Sequence, residues 1–459
     1  MLFRRTLLIF LVLATPALCF QGWKLSWHWP YALSGDEPHH LVMLFSLVKD
    51  GDLVLGNNYD SADLARGRLL SHIRLDHHTY FYYPDRMLTI PWHQVYQIKF
   101  DPALDSPATP GGYTFERTPA YAHRSMDGWE EIPIHTPGYP ALLAAFFWLP
   151  VALDFEHYEP LILLGQLLLY AFALARLREI TFRSTAFIVL AGMALPAYYY
   201  SLTFYAEGVS AALMLLTLVE FQKEHHWRLG LLLGVLLLIK EVNGPLIPIY
   251  ILALIWRRAW WHPRHWSRLW PLLAPGLVVL IGMVVRSYWL FGEYRTYIPW
   301  ETTRDIPARV LLFLISPDRG LLIFTPVLIV SVGALLILWR RQHLYRPLLM
   351  VIAVAFSVTL VIAITNAHGP GGTTFAYRTL TPFAALWILP VLWIGPHHLR
   401  ACRRLKPALN MSLLRSLFTA MLLFLLVFAA LNVLNAVTRR LNSYHNMPAL
   451  LDPLWFVRD

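Results

Sequence analysis

Apolar runs dominate this chain and set the terms for its fold. They recur at about 6–23, 138–153, 160–176, 184–201, 205–221, 229–256, 270–287, 318–338, 347–365, 379–396 and 412–433. Each is long enough, or nearly so, to cross the hydrocarbon of a bilayer. In lipid every backbone N–H and C=O must be satisfied within the segment, which leaves helices as the spanning structure. The 229–256 run exceeds one crossing and is interrupted by Lys240-Glu241-Val242-Asn243-Gly244-Pro245, so two short helices are predicted there. Composition agrees: hydrophobic residues make up 57% of the 459 and charged residues 14%. Soluble domains sit nearer half apolar and a quarter charged. The expected fold class is an all-α polytopic membrane protein. Its two cysteines, Cys19 and Cys402, lie at opposite ends and suggest no disulfide framework. No Cys or His pairs stand at zinc-finger spacing.

The formal charge of +10 raises the question of nucleic acid, and its distribution answers it. The connections holding Arg176/Arg178/Arg183, Lys223/Arg228, Arg257/Arg258/Arg264/Arg268, Arg340/Arg341/Arg346 and Arg400/Arg403/Arg404/Lys406, with Arg4 and Arg5, carry 18 basic residues against two acids, Glu179 and Glu224. The segment 21–137 carries 9 basic and 14 acidic residues. The positive-inside rule therefore places the basic loops in the cytoplasm and 21–137 outside. The excess charge anchors loops against the inner leaflet, and no nucleic-acid partner is expected. The first run reads as a retained helix rather than a cleaved signal peptide, because Trp23, Trp27 and Trp29 follow it as an interfacial belt.

Parity sharpens the topology. An odd number of crossings must separate the outer segment from the loop at Arg176. Two runs, 138–153 and 160–176, lie between, joined by Asp154 to Glu159 without Lys or Arg. The 138–153 run is therefore expected to be re-entrant or juxtamembrane. About 11 spans result, N-terminus in and C-terminus out, forming one transmembrane domain over 1–459 with 21–137 inserted after the first helix. On that assignment Asp36, Glu37, His135, Glu207, Lys240, Glu241, Asp318, Arg319, His368 and Arg378 fall near the outer face. Ionisable groups at membrane depth are costly, and so many on one face predict a water-accessible site there.

Several of these residues also have local structural explanations. In Gly35-Asp36-Glu37-Pro38-His39-His40, Ser34 or Asp36 can cap a helix that Pro38 helps to start. Gly51-Asp52, with Gly56-Asn57-Asn58, reads as a turn. His135 precedes Thr136-Pro137-Gly138-Tyr139-Pro140, which punctuates a helix start. Glu207 opens an apolar helix and points to a cavity role. Lys240-Glu241 reads equally as an internal ion pair or as a cation set near a phosphate. His368-Gly369-Pro370-Gly371-Gly372 supplies a backbone that can approach an anion closely, ahead of Arg378. It lacks the strand–loop–helix context of a nucleotide fingerprint.

In order, "GDEPHHL", "KDGDLVLGNNYD", "HTPGYPALLAAFF", "SPDRGLLIFTPVLI" and "GGTTFAYRTLTPFAALWILP" resemble the GT-C superfamily of phospholipid-carrier-dependent glycosyltransferases. These are family 39-like enzymes, related to protein O-mannosyltransferases and lipid A aminoarabinose transferases. The resemblance implies a GT-C fold in the bacterial cytoplasmic (inner) membrane with its active site facing outside. It implies a polyprenyl-phosphate-linked sugar donor and an acceptor that is a cell-envelope glycan, lipid or protein. Asp36 takes the place of the catalytic base, with Glu37 beside it, and Arg378 that of the phosphate-binding cation. Lys240 and Arg319 are further candidates for the phosphate. His39, His135, Tyr139, Glu207, Glu241 and His368 are candidates to line the substrate cavity. Some members of the superfamily use a divalent cation between carboxylates and phosphate, and others do not. The competing expectation is a lipid-linked sugar flippase or another membrane transporter, which would also hold intramembrane charges and a broken helix.

Overall fold

The computed structural model describes residues 2–26, 31–33, 37–55, 73–75, 78–82, 87–91, 122–124, 131–133, 136–153, 158–181, 183–259, 263–292, 306–315, 322, 325, 327–341, 345–365, 378–393, 419, 422–423 and 425–433. Helix α1 covers Leu2–Ser26. The chain divides into two compact units, one of Gly22–Leu163 with Met283–Tyr297, the other of Met1–Gln21, Leu164–Gly282 and Ile298–Asp459.

In the first unit β1 (Tyr31–Leu33) precedes α2 (Glu37–Phe45), whose last turn widens into a π-helical stretch, Ser46–Asp50. Gly51 closes it at φ 77°, a left-handed conformation that glycine takes without steric cost. The turn is fixed by Asp52, whose Oδ1 accepts from Ser46 Oγ at 2.9 Å and from Val54 N at 3.0 Å. Helix α2 packs on α3 (Gly138–Ala152). His40 meets Tyr139 edge-on at 5.0 Å, and Lys49 Nζ donates to the Ala152 carbonyl at the C-terminal end of α3. Phe147 leaves helical geometry (φ −119°, ψ 20°) just ahead of Pro150, whose ring cannot accommodate the preceding turn. Six short strands complete the described part of this unit. β1 pairs in parallel with β2 (Ile73–Leu75), while β3 (His78–Tyr82) with β4 (Met87–Pro91) and β5 (Ala122–Arg124) with β6 (Glu131–Pro133) form antiparallel ladders. The hydropathy pattern, read for spans, gave no sign of these strands.

The described residues of the second unit are helical, and two of the helices that follow run across its boundaries, at Leu163/Leu164 and at Gly282/Met283. Helix α4 (Tyr158–Thr181) leads into α5 (Thr185–Met193), α6 (Pro196–Tyr200) and α7 (Ala206–Gln222). They are followed by α8 (His226–Ile239), α9 (Leu246–Arg258), α10 (Trp270–Phe291) and α11 (Ile306–Ile315). After these come α12 (Val327–Arg341), α13 (Arg346–Thr365), α14 (Thr381–Leu386) and α15 (Ile388–Trp393). Every residue of α7 from Ala206 to Phe221 is buried, as an all-round apolar helix requires. α6, α8 and α14 pack around it, α9 lies on α13, and α12 on α15. Several helix ends are closed by side chains that donate to carbonyls left without an intrahelical partner. Arg183 Nε reaches Leu392 O at 2.5 Å, Arg309 Nη1 reaches Ile364 O at 3.0 Å, and Asn432 Nδ2 reaches Met193 O at 3.1 Å.

Three described helices are long and apolar enough to cross a membrane: Leu161–Thr181, Trp266–Leu290 and Arg346–Thr365. By length and composition this is a membrane protein, predominantly α-helical. Shorter apolar helices cover Gly138–Ala152, His226–Ile239, Val327–Arg340 and Arg378–Trp393. The interruption in the 229–256 run appears as expected, between α8 and α9. Two other runs are broken where one helix was expected. The 184–201 run parts into α5 and α6 because Pro196 starts the second helix from an extended Leu195. The 379–396 run becomes a 3₁₀ turn, Arg378–Leu380, then α14 and α15 around Trp387.

Candidate functional site

The start of α7 gathers three of the residues singled out from sequence. Glu207 stands in its first turn, where a carboxylate complements the positive end of the helix dipole. Its carboxylate is 2% exposed. Gly208 allows the helix to begin here, because a β-carbon at that position would stand 2.3 Å from the Tyr200 carbonyl oxygen. The connection from α6 to α7 is buried throughout, and its hydroxyls are used locally: Ser201 Oγ donates to Ala197 O and Thr203 Oγ1 to Tyr200 O.

Lys240 comes to Glu207 from the break between α8 and α9. The backbone turns extended at Lys240 (φ −157°, ψ 125°), then enters a 3₁₀ turn, Glu241–Asn243. Asn243 holds this corner by donating from N to Lys240 O at 3.0 Å and from Nδ2 to Leu236 O at 2.9 Å. The geometry sends Lys240 Nζ to within 2.5 Å of Glu207 Oε1. Arg378, at the head of the 3₁₀ turn before α14, completes the cluster. Its Nε lies 3.3 Å from the same Oε1, and its guanidinium sits 4.6 Å from the centroid of the Tyr205 ring. Tyr205 in turn meets Tyr200 edge-on at 5.8 Å.

Two cations thus converge on one buried carboxylate oxygen. Removing three charges from water is costly, and the mutual attraction offsets this best when the ions are tightly paired. The most exposed member of the trio is Lys240, with 24% of its side chain accessible, against 9% for Arg378. An ammonium has three donors, and its bond to Glu207 uses one of them. The arrangement suits a small anion.

Of the other candidates, Glu37 is fully buried in the first turn of α2 and Tyr139 fully buried at the start of α3, both in the other unit. Glu241 is half-buried in the 3₁₀ turn after Lys240. Asp36, His135, Arg319 and His368 lie outside the described residues, as does the side chain of His39. Among the described residues, no group of three or more His, Cys, Asp or Glu is placed to hold a metal ion.

A second polar cluster, not anticipated from sequence, closes the opposite end of α7. Glu220, 7% exposed at its side chain, accepts from Arg176 Nη2 at 2.8 Å and lies 2.7 Å from His225 Nδ1. Glu179 pairs with Lys223, and Glu224, in a left-handed conformation, pairs with Arg257 and Arg258. Arg257 also covers the Phe221 ring and donates to its carbonyl. Burial holds the His226 imidazole below its ordinary pKa, and the charges of Arg257 and His225 act in the same direction. The signal available in the sequence was Glu220 itself, a carboxylate inside the 205–221 apolar run.

Comparison of this chain with protein-family models, with curated proteins and with solved structures gives no match.

Proposed function

We propose that this chain is an integral membrane glycosyltransferase of GT-C architecture with about 11 spans, set in the bacterial cytoplasmic membrane. It moves a sugar from a polyprenyl-phosphate donor to a cell-envelope acceptor on the outer face. The observation that carries the reading is the convergence of Lys240 and Arg378 on one buried carboxylate oxygen of Glu207, which sets two cations together at the ends of apolar helices. The order of sequence motifs supports the rest.

A sugar on a lipid phosphate already has a good leaving group, so no second carboxylic acid is needed to protonate it. The Asp36 carboxylate takes the proton of an acceptor hydroxyl or amine. The acceptor atom bonds to the anomeric carbon from the face opposite the phosphate. The carbon–oxygen bond to phosphate breaks, its electron pair leaving with the lipid phosphate, and the configuration inverts. Lys240 and Arg378 offset the charge that develops on that phosphate. The paired carboxylates of glycoside hydrolases answer a different need, activating water against a poor leaving group.

The test is an Asp36→Asn variant, reconstituted with a lipid-linked sugar donor. It should fold and insert but lose transfer. Normal transfer by the variant would sink the mechanism. One observation favours a second reading, a lipid-linked sugar transporter: the unwound corner between α8 and α9 exposes a cation inside a broken helix. Net movement of the donor across vesicles by a wild type without transferase activity decides for it.

A further inference from the structure

Polar side chains on α7 meet partners from the interrupted segment α8–α9 at one constant spacing. Glu207 Oε1 accepts from Lys240 Nζ, 33 residues further along the chain. Thr217 Oγ1 meets Tyr250 OH at 2.7 Å, again across 33 residues. Glu224, just past the end of α7, pairs with Arg257 at the same spacing. A constant offset means that the two segments run parallel and advance together, rung by rung. Between the first two rungs the same offset sets Ser210 opposite Asn243.

Both residues of that rung carry an unused, buried oxygen. Ser210 and Asn243 are each 1% exposed. Neither Ser210 Oγ nor Asn243 Oδ1 has a hydrogen-bond partner among the described residues. The serine hydroxyl is not spent on its own helix. Thr181, Ser201, Thr217, Ser331 and Thr359 are buried too, and each donates to a carbonyl three or four residues earlier. Ser210 does not. The Asn243 amide is fixed by Nδ2, which donates to Leu236 O at 2.9 Å, so exchanging its oxygen and nitrogen would only break that bond. The neighbouring rungs are closed from one side by long side chains, those of Lys240, Tyr250 and Arg257. Serine and asparagine are short, and their polar ends stop before they meet.

We infer that this rung binds one water molecule, which accepts from Ser210 Oγ and donates to Asn243 Oδ1. A water is both donor and acceptor, as the pair requires, and buried waters typically make about two to four such bonds. Ordering it costs less than leaving two buried polar groups unmet. The water ties α7 to the corner that follows Lys240, where the helix is interrupted. It is independent of what binds at Glu207, and of whether the chain transfers or transports a sugar.

The sign of one stability change tests this in the full chain purified in detergent. A hydroxyl that meets nothing costs stability, so its removal would raise the melting temperature. A hydroxyl that holds a bridging water contributes, so Ser210→Ala should melt below wild type. Alanine is also the better helix former. Ser357→Ala, at an exposed position of α13 where Oγ bonds only Ala353 O, measures that gain separately. A melting temperature of Ser210→Ala at or above that of Ser357→Ala overturns the inference.

Hydroxyl-radical footprinting with X-rays gives a second readout. A bound water is itself ionised, and its radical attacks the side chains around it. Met214 lies one turn from Ser210 on the same face of α7, fully buried, and its sulfur oxidises readily to the sulfoxide. Met43, equally buried in the other unit, is the internal reference. Ser210→Asn places an amide donor where the water sits. Peptide mass spectrometry should show Met214 oxidation, relative to Met43, falling several-fold from wild type to Ser210→Asn. An unchanged ratio overturns the water site.

Discussion

Gly208 lies directly against the backbone of Tyr200. A β-carbon on Gly208 would stand 2.3 Å from the Tyr200 carbonyl oxygen and 2.7 Å from the Ser201 nitrogen. Both obstacles are main-chain atoms, so no rotamer change relieves the clash. Gly208→Ala should therefore push α7 away from the α6 connection and carry Glu207 with it. The expected cost is about 1–3 kcal/mol, typical of inserting a methyl group into a packed interior. Thermal unfolding in detergent measures it. Gly282→Ala is the control, because a β-carbon there meets nothing within 4 Å. Equal melting temperatures for the two variants would contradict the close approach.

Glu207 is the shared partner of two cations, so its removal should cost more than the removal of either. Glu207→Gln leaves Lys240 and Arg378 near each other without their carboxylate. Breaking a buried pair from one side costs roughly 3–5 kcal/mol. Adding Lys240→Met to that variant removes one stranded charge and should recover part of the loss. The double-mutant cycle should show a coupling of roughly 0.5–3 kcal/mol. Strictly additive effects would mean that the pair contributes nothing as a pair.

Which parts of this were legible in the sequence follows from range. The corner at Lys240 could be read because Gly244 and Pro245 sit in the middle of an overlong apolar run, and helix breaking is a local effect. Glu207, Lys240 and Arg378 stood out because each is an ionisable residue at the edge of an apolar segment. That they share one site was not local information. Glu207 and Lys240 meet only because α8 folds back along α7, and Arg378 only because α14 packs on α7. Proximity in sequence offered Lys240 a nearer partner in Glu241, while the tertiary fold brought it to Glu207. Pro196 lies inside the 184–201 apolar run, where hydropathy alone does not mark the helix break it makes. Glu220 was hidden by the leucines and valines around it, although a lone carboxylate there needs a partner just as Glu207 does.

That partner is Arg176. Its Nη2 lies 2.8 Å from Glu220 Oε1, joining the C-terminal ends of α4 and α7. Both side chains are largely buried, and each has one further partner, Glu220 in His225 and Arg176 in Glu179, so either one alone keeps part of its compensation. Arg176→Met and Glu220→Gln should each destabilise by about 1–3 kcal/mol, the cost of an unsatisfied buried group. Together they should cost less than the sum, because the Arg176–Glu220 bond is lost only once. Unfolding of the two single variants and the double variant in the same detergent checks this, and full additivity would dissolve the pair.

His226 gives the same end of α7 a pH dependence of predictable sign. Burial, with Arg257 and His225 nearby, holds its pKa below the ordinary value of 6.5. The unfolded chain therefore takes up a proton at this residue at a pH where the folded chain does not. Stability rises with pH wherever the unfolded state binds more protons. The contribution of His226 is thus present above the unfolded pKa and is lost as pH falls from there through the folded value. The wild-type melting temperature should fall between about pH 7.5 and about pH 5.5, a window that spans the free imidazole value. His226→Gln cannot take up that proton and should show a shallower fall over the same window, with His225 and Glu220 unchanged in both proteins. A steeper fall in the variant would mean that His226 gains its proton more readily in the folded chain, against the effect of its buried, cationic surroundings.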